Sequence, residues 1–527
     1  MNKLIIKSKS LILFALVALF TFIAACEKEA TDLLPFDRIT DVAAFETPQR
    51  VELSMVGVYD AAQSGFYAGG AVRGYPFGAA NVEQGDNRGE DMMNVATFYA
   101  ITYEATYNPT TANNDFQWQT LYSLINRANI IIAGVQSAAA KGTITDAVAK
   151  AYEGESRFLR ALAHHELLVH FARPFKDTPG ASHPGVPYRT TAVNTTDNLN
   201  EAIAKGRNTV KECYDLILAD LNFAEQNLPE KRTGGQNISR ATQGAAIALK
   251  TRIYLHMGDW ANVITEGNKL ISKGAYQLTA TPEGPFASFS SNPESIFSIE
   301  NSTSDNPGVN GSLPNMYSVA PGRSLVAISP IIWNAPFWDP TDLRRTQLAK
   351  SSGRAYFSNK YRNITTQDDW NPIIRYAEVL LNVAEASARQ GNTTDALALL
   401  NQVRNRAVTD PTLQYSAASF ATATDLIRAI LQERRIEFLA EGRRWADIHR
   451  LALDPDFTAG GIPAKVRYNN TTFASWSPGK DYDATGNYTG SATVLAIPYS
   501  DYRFLWPIPT SELNTNPTLA AQQNPGY

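Results

Sequence analysis

Leu255-His256-Met257-Gly258-Asp259-Trp260-Ala261 and Ala388-Arg389-Gln390-Gly391-Asn392-Thr393 share one layout. An apolar-periodic segment ends, Gly followed by Asp or Asn makes the turn, and a second periodic segment begins at once. Glycine at a helix end accepts the left-handed conformation that stops the chain without a Cβ penalty. Each stretch therefore predicts a tight helix hairpin. Small residues at Ala384, Ala388 and Ala396 let the paired helices approach closely. Tetratricopeptide-like repeats are built from such hairpins, although here the repeats are degenerate and not tandem.

The same 3- and 4-residue periodicity recurs on either side of these turns. Trp118, Leu121, Tyr122, Ile125, Ala128, Asn129 and Ile132 form one stripe, and Phe158, Ala161, Leu162, His165, Leu168 and Val169 a second. Leu216, Ala219, Asp220, Phe223 and Ala224 form a third. Ala377, Leu380, Leu381, Ala384 and Ala388 make a fourth, and Ile427, Ile430, Leu431, Arg434 and Phe438 a fifth. Each spacing is that of an amphipathic helix. The expected fold class is mostly α: tetratricopeptide-like helical repeats, mainly over 116–278 and 372–452, beside a loop-rich, aromatic-bearing subdomain. Pro, Gly, Ser and Asn crowd residues 280–370, interrupted by strand-like pieces such as Ser295-Ile296-Phe297-Ser298-Ile299. A second loop-rich stretch spans about 455–500. Loops carried on rigid scaffolds commonly bear function.

The N-terminus reads as an export signal. Lys3, Lys7 and Lys9 precede an apolar run from Leu11 to Phe20, and Ile23-Ala24-Ala25-Cys26 follows. The run is too short for a membrane span. Small residues before a Cys fit the bacterial lipobox, so 1–25 is the expected signal peptide, Cys26 the lipidated residue and 26–35 the tether. Several acyl chains on one residue anchor stably, each buried CH2 contributing about 0.8 kcal/mol. The remainder, 36–527, reads as a single domain, because no long linker or charge block interrupts it. Loss of three lysines with the signal moves the formal net charge from −4 to −7. A mildly acidic chain without a basic tract excludes nucleic-acid binding. Cys213 is the one other cysteine. It lies in a periodic stretch and is expected to be buried and inert.

Several ordered segments resemble the SusD/RagB family of nutrient-uptake lipoproteins. Trp118-Gln119-Thr120-Leu121-Tyr122 with Ile125-Asn126-Arg127-Ala128-Asn129 is similar to the family's early helix, and Gly154-Glu155-Ser156-Arg157-Phe158-Leu159-Arg160-Ala161-Leu162-Ala163-His164 to its most recognisable segment. Ala241 to Trp260, Arg375-Tyr376-Ala377-Glu378, Glu433-Arg434-Arg435-Ile436-Glu437-Phe438 with Glu441-Gly442-Arg443-Arg444, Phe504 to Pro509 and the closing Gln523-Asn524-Pro525-Gly526-Tyr527 continue the match in order. His165 and Phe171-Ala172 depart from the pattern. The resemblance implies about four helix pairs and a loop-rich subdomain. It also implies an outer-membrane lipoprotein, facing the cell exterior, that caps a SusC-like TonB-dependent transporter. The implied ligand is an oligosaccharide or, in some relatives, a peptide.

The family's strongest positions here are Arg157, Arg160, Arg375, Glu378, Glu433, Arg434, Glu437 and Glu441. Glu433, Glu437 and Glu441 recur every four residues and line one helix face. A glycosidase needs two carboxylates set across a cleft, whereas stacked carboxylates among arginines suit ion-paired struts between helices. His165 and His170 stand five apart, about 140° around a helix, so the His-Glu-x-x-His geometry of a zinc site is not met. No nucleophile elbow and no phosphate-cradling loop occurs. A non-catalytic protein without metal or cofactor is therefore expected, with a surface glycoside hydrolase as the alternative from another class. Sugar binding needs flat rings against C–H faces and amides or charges for hydroxyls. Two loops offer these groups: Asp86, Asn87, Arg88, Asp91, Asn94, Phe98, Tyr99 and Tyr103 before the first clear helix, and Tyr317 and Trp333 in the long insertion.

Overall fold

The structure, a computed structural model, describes residues 43–64, 73–467, 481–483 and 488–527. The signal peptide, Cys26 and the tether lie outside the described residues, as do 468–480 and 484–487 of the second loop-rich stretch. The helices that frame the molecule are α1 (Pro48–Gln63), α2 (Ala79–Asn87), α3 (Ala112–Ala140), α4 (Asp146–Phe171), α5 (Val210–Asn227), α6 (Gln243–Met257), α7 (Trp260–Lys273), α8 (Tyr376–Arg389), α9 (Thr393–Arg404), α10 (Ala423–Glu437) and α11 (Arg444–Arg450).

From α3 to α9 the helices form a continuous tetratricopeptide-like stack. Each packs on the next, and α8 touches α6, α7, α9 and α10. The two glycine turns behave as the sequence predicts. Gly258 (φ 72°) ends α6, and Asp259 caps α7 by accepting from the Asn262 amide at 3.2 Å. Gly391 (φ 84°) precedes Asn392, which caps α9 through the Asp395 amide at 3.3 Å. The helix layers are tight. A Cβ on Gly267 of α7 would sit 2.1 Å from the Val383 Cγ2 of α8, so only glycine permits this approach. Being central, α8 buries every residue from Tyr376 to Ala388.

The loop-rich part carries short strands: β1 (Met92–Asn94), β2 (Ser295–Ile299), β3 (Val326–Ile328), β4 (Ala349–Ser351), β5 (Tyr356–Ser358) and β6 (Asn371–Arg375). An antiparallel sheet runs β1-β3-β5-β4, and β2 pairs with β6 beside the helical stack. One apolar cluster fills the stack, including Trp118, Trp445 and Trp506. A second lies about the four-stranded sheet, including Tyr99, Tyr103, Tyr317, Trp333 and Trp338.

Two expectations need correction here. Asp86 and Asn87 belong to helix α2 rather than a loop. The stretch AANVEQGDN shows no amphipathic stripe because all but Asn81 are buried, so no solvent face marks the helix. Likewise Tyr317 and Trp333 end the short helices Leu313–Tyr317 and Pro330–Trp333, each started by a proline in its first turn.

Candidate functional site

The charged positions shared with the family are joined in buried networks. Arg160 pairs with Asp220 at 2.6 Å, which also holds Arg157 at 3.1 Å, linking α4 to α5. Glu378 takes Arg252 at 2.6 Å, and Arg434 takes Asp447 at 3.0 Å. Glu433, Glu437 and Glu441 meet a larger set. Arg375 reaches Glu294 at 2.6 Å, Glu437 at 2.9 Å and Glu441 at 2.7 Å. Arg344 reaches Asp342, Glu433 and Glu437 at 2.7, 2.6 and 3.1 Å. Lys360, Arg404 and Arg406 complete the set, so five carboxylates face five cations. Burial alone would raise the Glu437 carboxyl, but Arg406 and Arg375 outweigh it and hold it well below the usual range. Asp342 and Arg344 fall in the stretch Asp339 to Arg344, which resembles a structural turn of the family, whereas Glu294, Lys360 and Arg406 were not expected from the sequence. Their spacing in the chain carries no periodicity that could have flagged them.

Of the ten residues expected to touch ligand, nine are buried and Phe98 is half-buried. Asp86 accepts hydrogen bonds from the Tyr317 hydroxyl at 2.7 Å and the Gly442 amide at 2.9 Å, and burial pushes its carboxyl up to about 7. The Asn87 carbonyl accepts from Lys465 at 2.6 Å. Arg88 lies 3.5 Å from the Trp445 ring and bonds His170 at 3.1 Å. Asp91 binds Arg435 at 2.9 Å, Asn94 donates to the Ala96 carbonyl, and Tyr103 donates to the Val466 carbonyl. Tyr99 is packed edge-on to Phe98. These groups bolt α2 and β1 to the α10–α11 turn and to residues near 465. Direct contact with a ligand from solvent is closed to Asp86, Asn87, Arg88, Asp91, Asn94, Tyr99, Tyr103 and Tyr317. Polar residue types alone could not distinguish such bolts from a binding loop. The histidines do not converge either: His164 stacks on Tyr188, His165 faces His256, and His170 sits between Arg88 and Glu166.

Trp333 leads to a different surface. Tyr356 of β5 lies flat on it, with centroids 3.8 Å apart and planes at 12°. Tyr482 stands edge-on to both rings, at 5.4 and 6.0 Å, and donates to the Ile328 carbonyl at 3.0 Å. Beneath, Trp338 meets Trp333 edge-on at 5.3 Å. The Arg345 guanidinium lies 4.6 and 4.3 Å from the two indoles and donates to the Trp333 carbonyl at 2.7 Å. Burial lowers Arg345 only to about 10, so it stays charged at neutral pH. Trp333 is 5% exposed, whereas Tyr356 and Tyr488, packed on the same cluster, are half-buried. One Tyr356 face is thus fixed by Trp333, and the residue as a whole remains half-buried. Beside it, Asn334 donates to the Asp481 carbonyl at 3.0 Å, while its buried Oδ1 has no hydrogen-bond partner among the described residues. A rigid, half-buried ring held flat by a neighbouring indole is the chemistry that stacks on the C–H face of a pyranose. Tyr356 was not expected from the sequence; its place in Ala355-Tyr356-Phe357-Ser358, just after Gly353, is a strand pattern that could have marked it.

Comparison with known proteins agrees with the fold. A family model described as "SusD family" matches residues 347–527, and another described as "Starch-binding associating with outer membrane" matches 52–255. The matches do not overlap and together span more than half of the chain. A SusD-like protein of Formosa agariphila is 25% identical over 81% of this chain and 88% of its own. A SusD superfamily protein from Bacteroides fragilis superposes with a TM-score of 0.74 at 26% identity, covering 90% of this chain and 99% of its own. Surface glycan-binding protein A from Bacteroides uniformis shares the fold with a TM-score of 0.68 at 19% identity, covering 91% and 99%. With both halves matched and the helical stack shared, the chain belongs to the SusD-like family.

Proposed function

We propose that the protein captures an oligosaccharide at the cell surface without cleaving it and delivers it to a SusC-like TonB-dependent transporter. The observation that carries this reading is the Trp333–Tyr356 stack, a preformed aromatic platform with a half-buried tyrosine. The family description of starch binding and outer-membrane association, and the glycan-binding relative of the same fold, support it. Glu433, Glu437 and Glu441 are each engaged by cations away from solvent, so these carboxylates do not offer the cleft-spanning pair of a hydrolase.

A glycan array followed by calorimetry tests the reading. An aromatic stack is worth about 0.5–1.5 kcal/mol, so Tyr356→Ala weakens glycan affinity by roughly 2- to 13-fold, and loss of its own stack on Trp333 lowers stability modestly without unfolding the protein. Unchanged affinity in Tyr356→Ala would remove the platform from the site. New reducing ends after incubation would make the protein a hydrolase instead. Recovery of a β-barrel importer with the tagged lipoprotein from outer membranes tests the transporter; its consistent absence refutes that half.

A further inference from the structure

A cleft of about 920 Å3 opens where the C-terminal segment passes the end of α4 and the start of α5. That volume lies in the range of small-molecule sites, about 300–1,000 Å3. Its wall is fixed by Arg207, whose guanidinium donates to the carbonyls of Gly185 at 2.6 Å, Gln522 at 3.1 Å and Phe171 at 3.2 Å, and to the Asn524 side chain at 2.8 Å. Asn524 in turn donates to the carbonyls of Phe171 and Trp506 at 2.9 and 2.8 Å. The cleft therefore pre-exists, and a ligand would lose little ordering entropy on entry.

Its chemistry is distinctive. Tyr502 is 44% exposed, and its ring is held edge-on against Tyr527 at 4.9 Å. Asp177 accepts the Tyr499 hydroxyl through Oδ1, while no hydrogen bond from a described residue reaches its Oδ2. Arg173 lies 4.5 Å from the Tyr499 ring, and among the described residues no carboxylate comes within ion-pair distance of Arg173 or Arg207. Arg173, Arg207, Asp177 and Asp501 line the space, and Arg503 pairs with Asp501 at 2.7 Å. Arg207 directs its donors to protein oxygens and Arg173 lies against the Tyr499 ring, so among the described residues the lining offers no free cation cluster to select an anionic ligand. A ring face for C–H groups, an open carboxylate oxygen and a guanidinium match a compound rich in hydroxyls.

We propose that this cleft is a second saccharide-binding site, taking a short neutral oligosaccharide against Tyr502 with Asp177 accepting its hydroxyls. The proposal rests on the glycan-binding reading only for the class of ligand; its residues are separate from the Tyr356 platform. The mature protein is titrated calorimetrically with maltoheptaose, cellohexaose, xylohexaose and, as an acidic probe, trigalacturonate. The expected result is two equivalents of at least one neutral probe. Tyr356→Ala weakens one of the two binding events and leaves the other unchanged, Tyr502→Ala does the reverse, and Asp177→Asn, which keeps the shape, weakens the cleft event about tenfold. Amide exchange at 500–505 and 521–526 slows with the probe in the wild type and in Tyr356→Ala, but not in Tyr502→Ala. One equivalent in the wild type, unaffected by Tyr502→Ala and Asp177→Asn yet weakened in Tyr356→Ala, overturns the cleft and leaves the platform standing. Binding of trigalacturonate alone overturns the neutral cleft while keeping a glycan-binding protein. Failure of all four probes overturns both readings.

Discussion

Replacing Arg375 with Met should unbalance the buried charge set in a way that pH reports. Arg375 is 2% exposed and contacts Glu294, Glu437 and Glu441 at 2.6, 2.9 and 2.7 Å. Methionine fills a similar volume but leaves five carboxylates facing four cations, with one negative charge buried in excess. Breaking a buried pair from one side costs about 3–5 kcal/mol, which, with the large m-value of a chain this long, lowers the urea midpoint by about 1 M or less at pH 7. Burial would raise the Glu441 carboxyl, but Arg375 and then Lys360 hold it below its usual range. In the wild type that depressed folded value stabilises above the unfolded value of about 4.5 and is lost as pH falls below it. In Arg375→Met burial prevails, so a carboxyl of the set takes up a proton in the folded state. A raised folded value stabilises toward acid, by up to about 1.4 kcal/mol per pH unit. The gap between variant and wild type should therefore shrink from pH 7 to pH 5 in urea unfolding followed by tryptophan fluorescence. Arg375→Lys should cost less, since it keeps the charge and loses the fork. A loss below 1 kcal/mol at pH 7, or a gap that widens toward pH 5, refutes the reasoning.

Single groups carry further expectations. His165 is buried against His256, burial lowers its imidazole to about 3, and its Nε2 has no partner among the described residues. The unfolded chain binds a proton near pH 6.5 that the folded one refuses, so stability drops between pH 6.5 and 3; His165→Phe should remove up to about 1.4 kcal/mol per pH unit of that slope, and an unchanged slope contradicts the effect of burial. Burial pushes the Cys213 thiol up to about 12, so Ellman's reagent at pH 8 should modify it only as fast as the protein unfolds; rapid labelling of native protein would show the helix pair open. Cys26→Ser should abolish palmitate incorporation and release the protein from the membrane fraction, and persistent acylation would place the lipid elsewhere.

The helical stack was legible because its signals are local. Gly258 and Gly391 stop helices whatever surrounds them, and stripes such as Phe158–Leu162–His165 reflect a face turned to the core. The charged motifs were legible as struts, since four-residue spacing on α10 and just beyond it puts Glu433, Glu437 and Glu441 in line. Several of their partners were not: Arg344 and Lys360, which meet these glutamates, and Glu294, which meets Arg375, come from segments whose place depends on the folding of the loop-rich part. The expected ligand loop failed for a related reason. Asp86, Arg88 and Asp91 have the residue types of a binding surface, yet each is closed in by a partner distant in sequence: Gly442, Phe504 and Arg435.

Fold class, family likeness and the helix boundaries set by glycine and capping residues were therefore written in the chain, all governed by interactions within a few residues. Which aromatic residue meets solvent was settled only by tertiary packing. Trp333 and Tyr356 lie 23 positions apart and come face to face through the pairing of β3 with β5. Exposure is a property of what else packs nearby, and long-range packing leaves no periodic mark in a sequence.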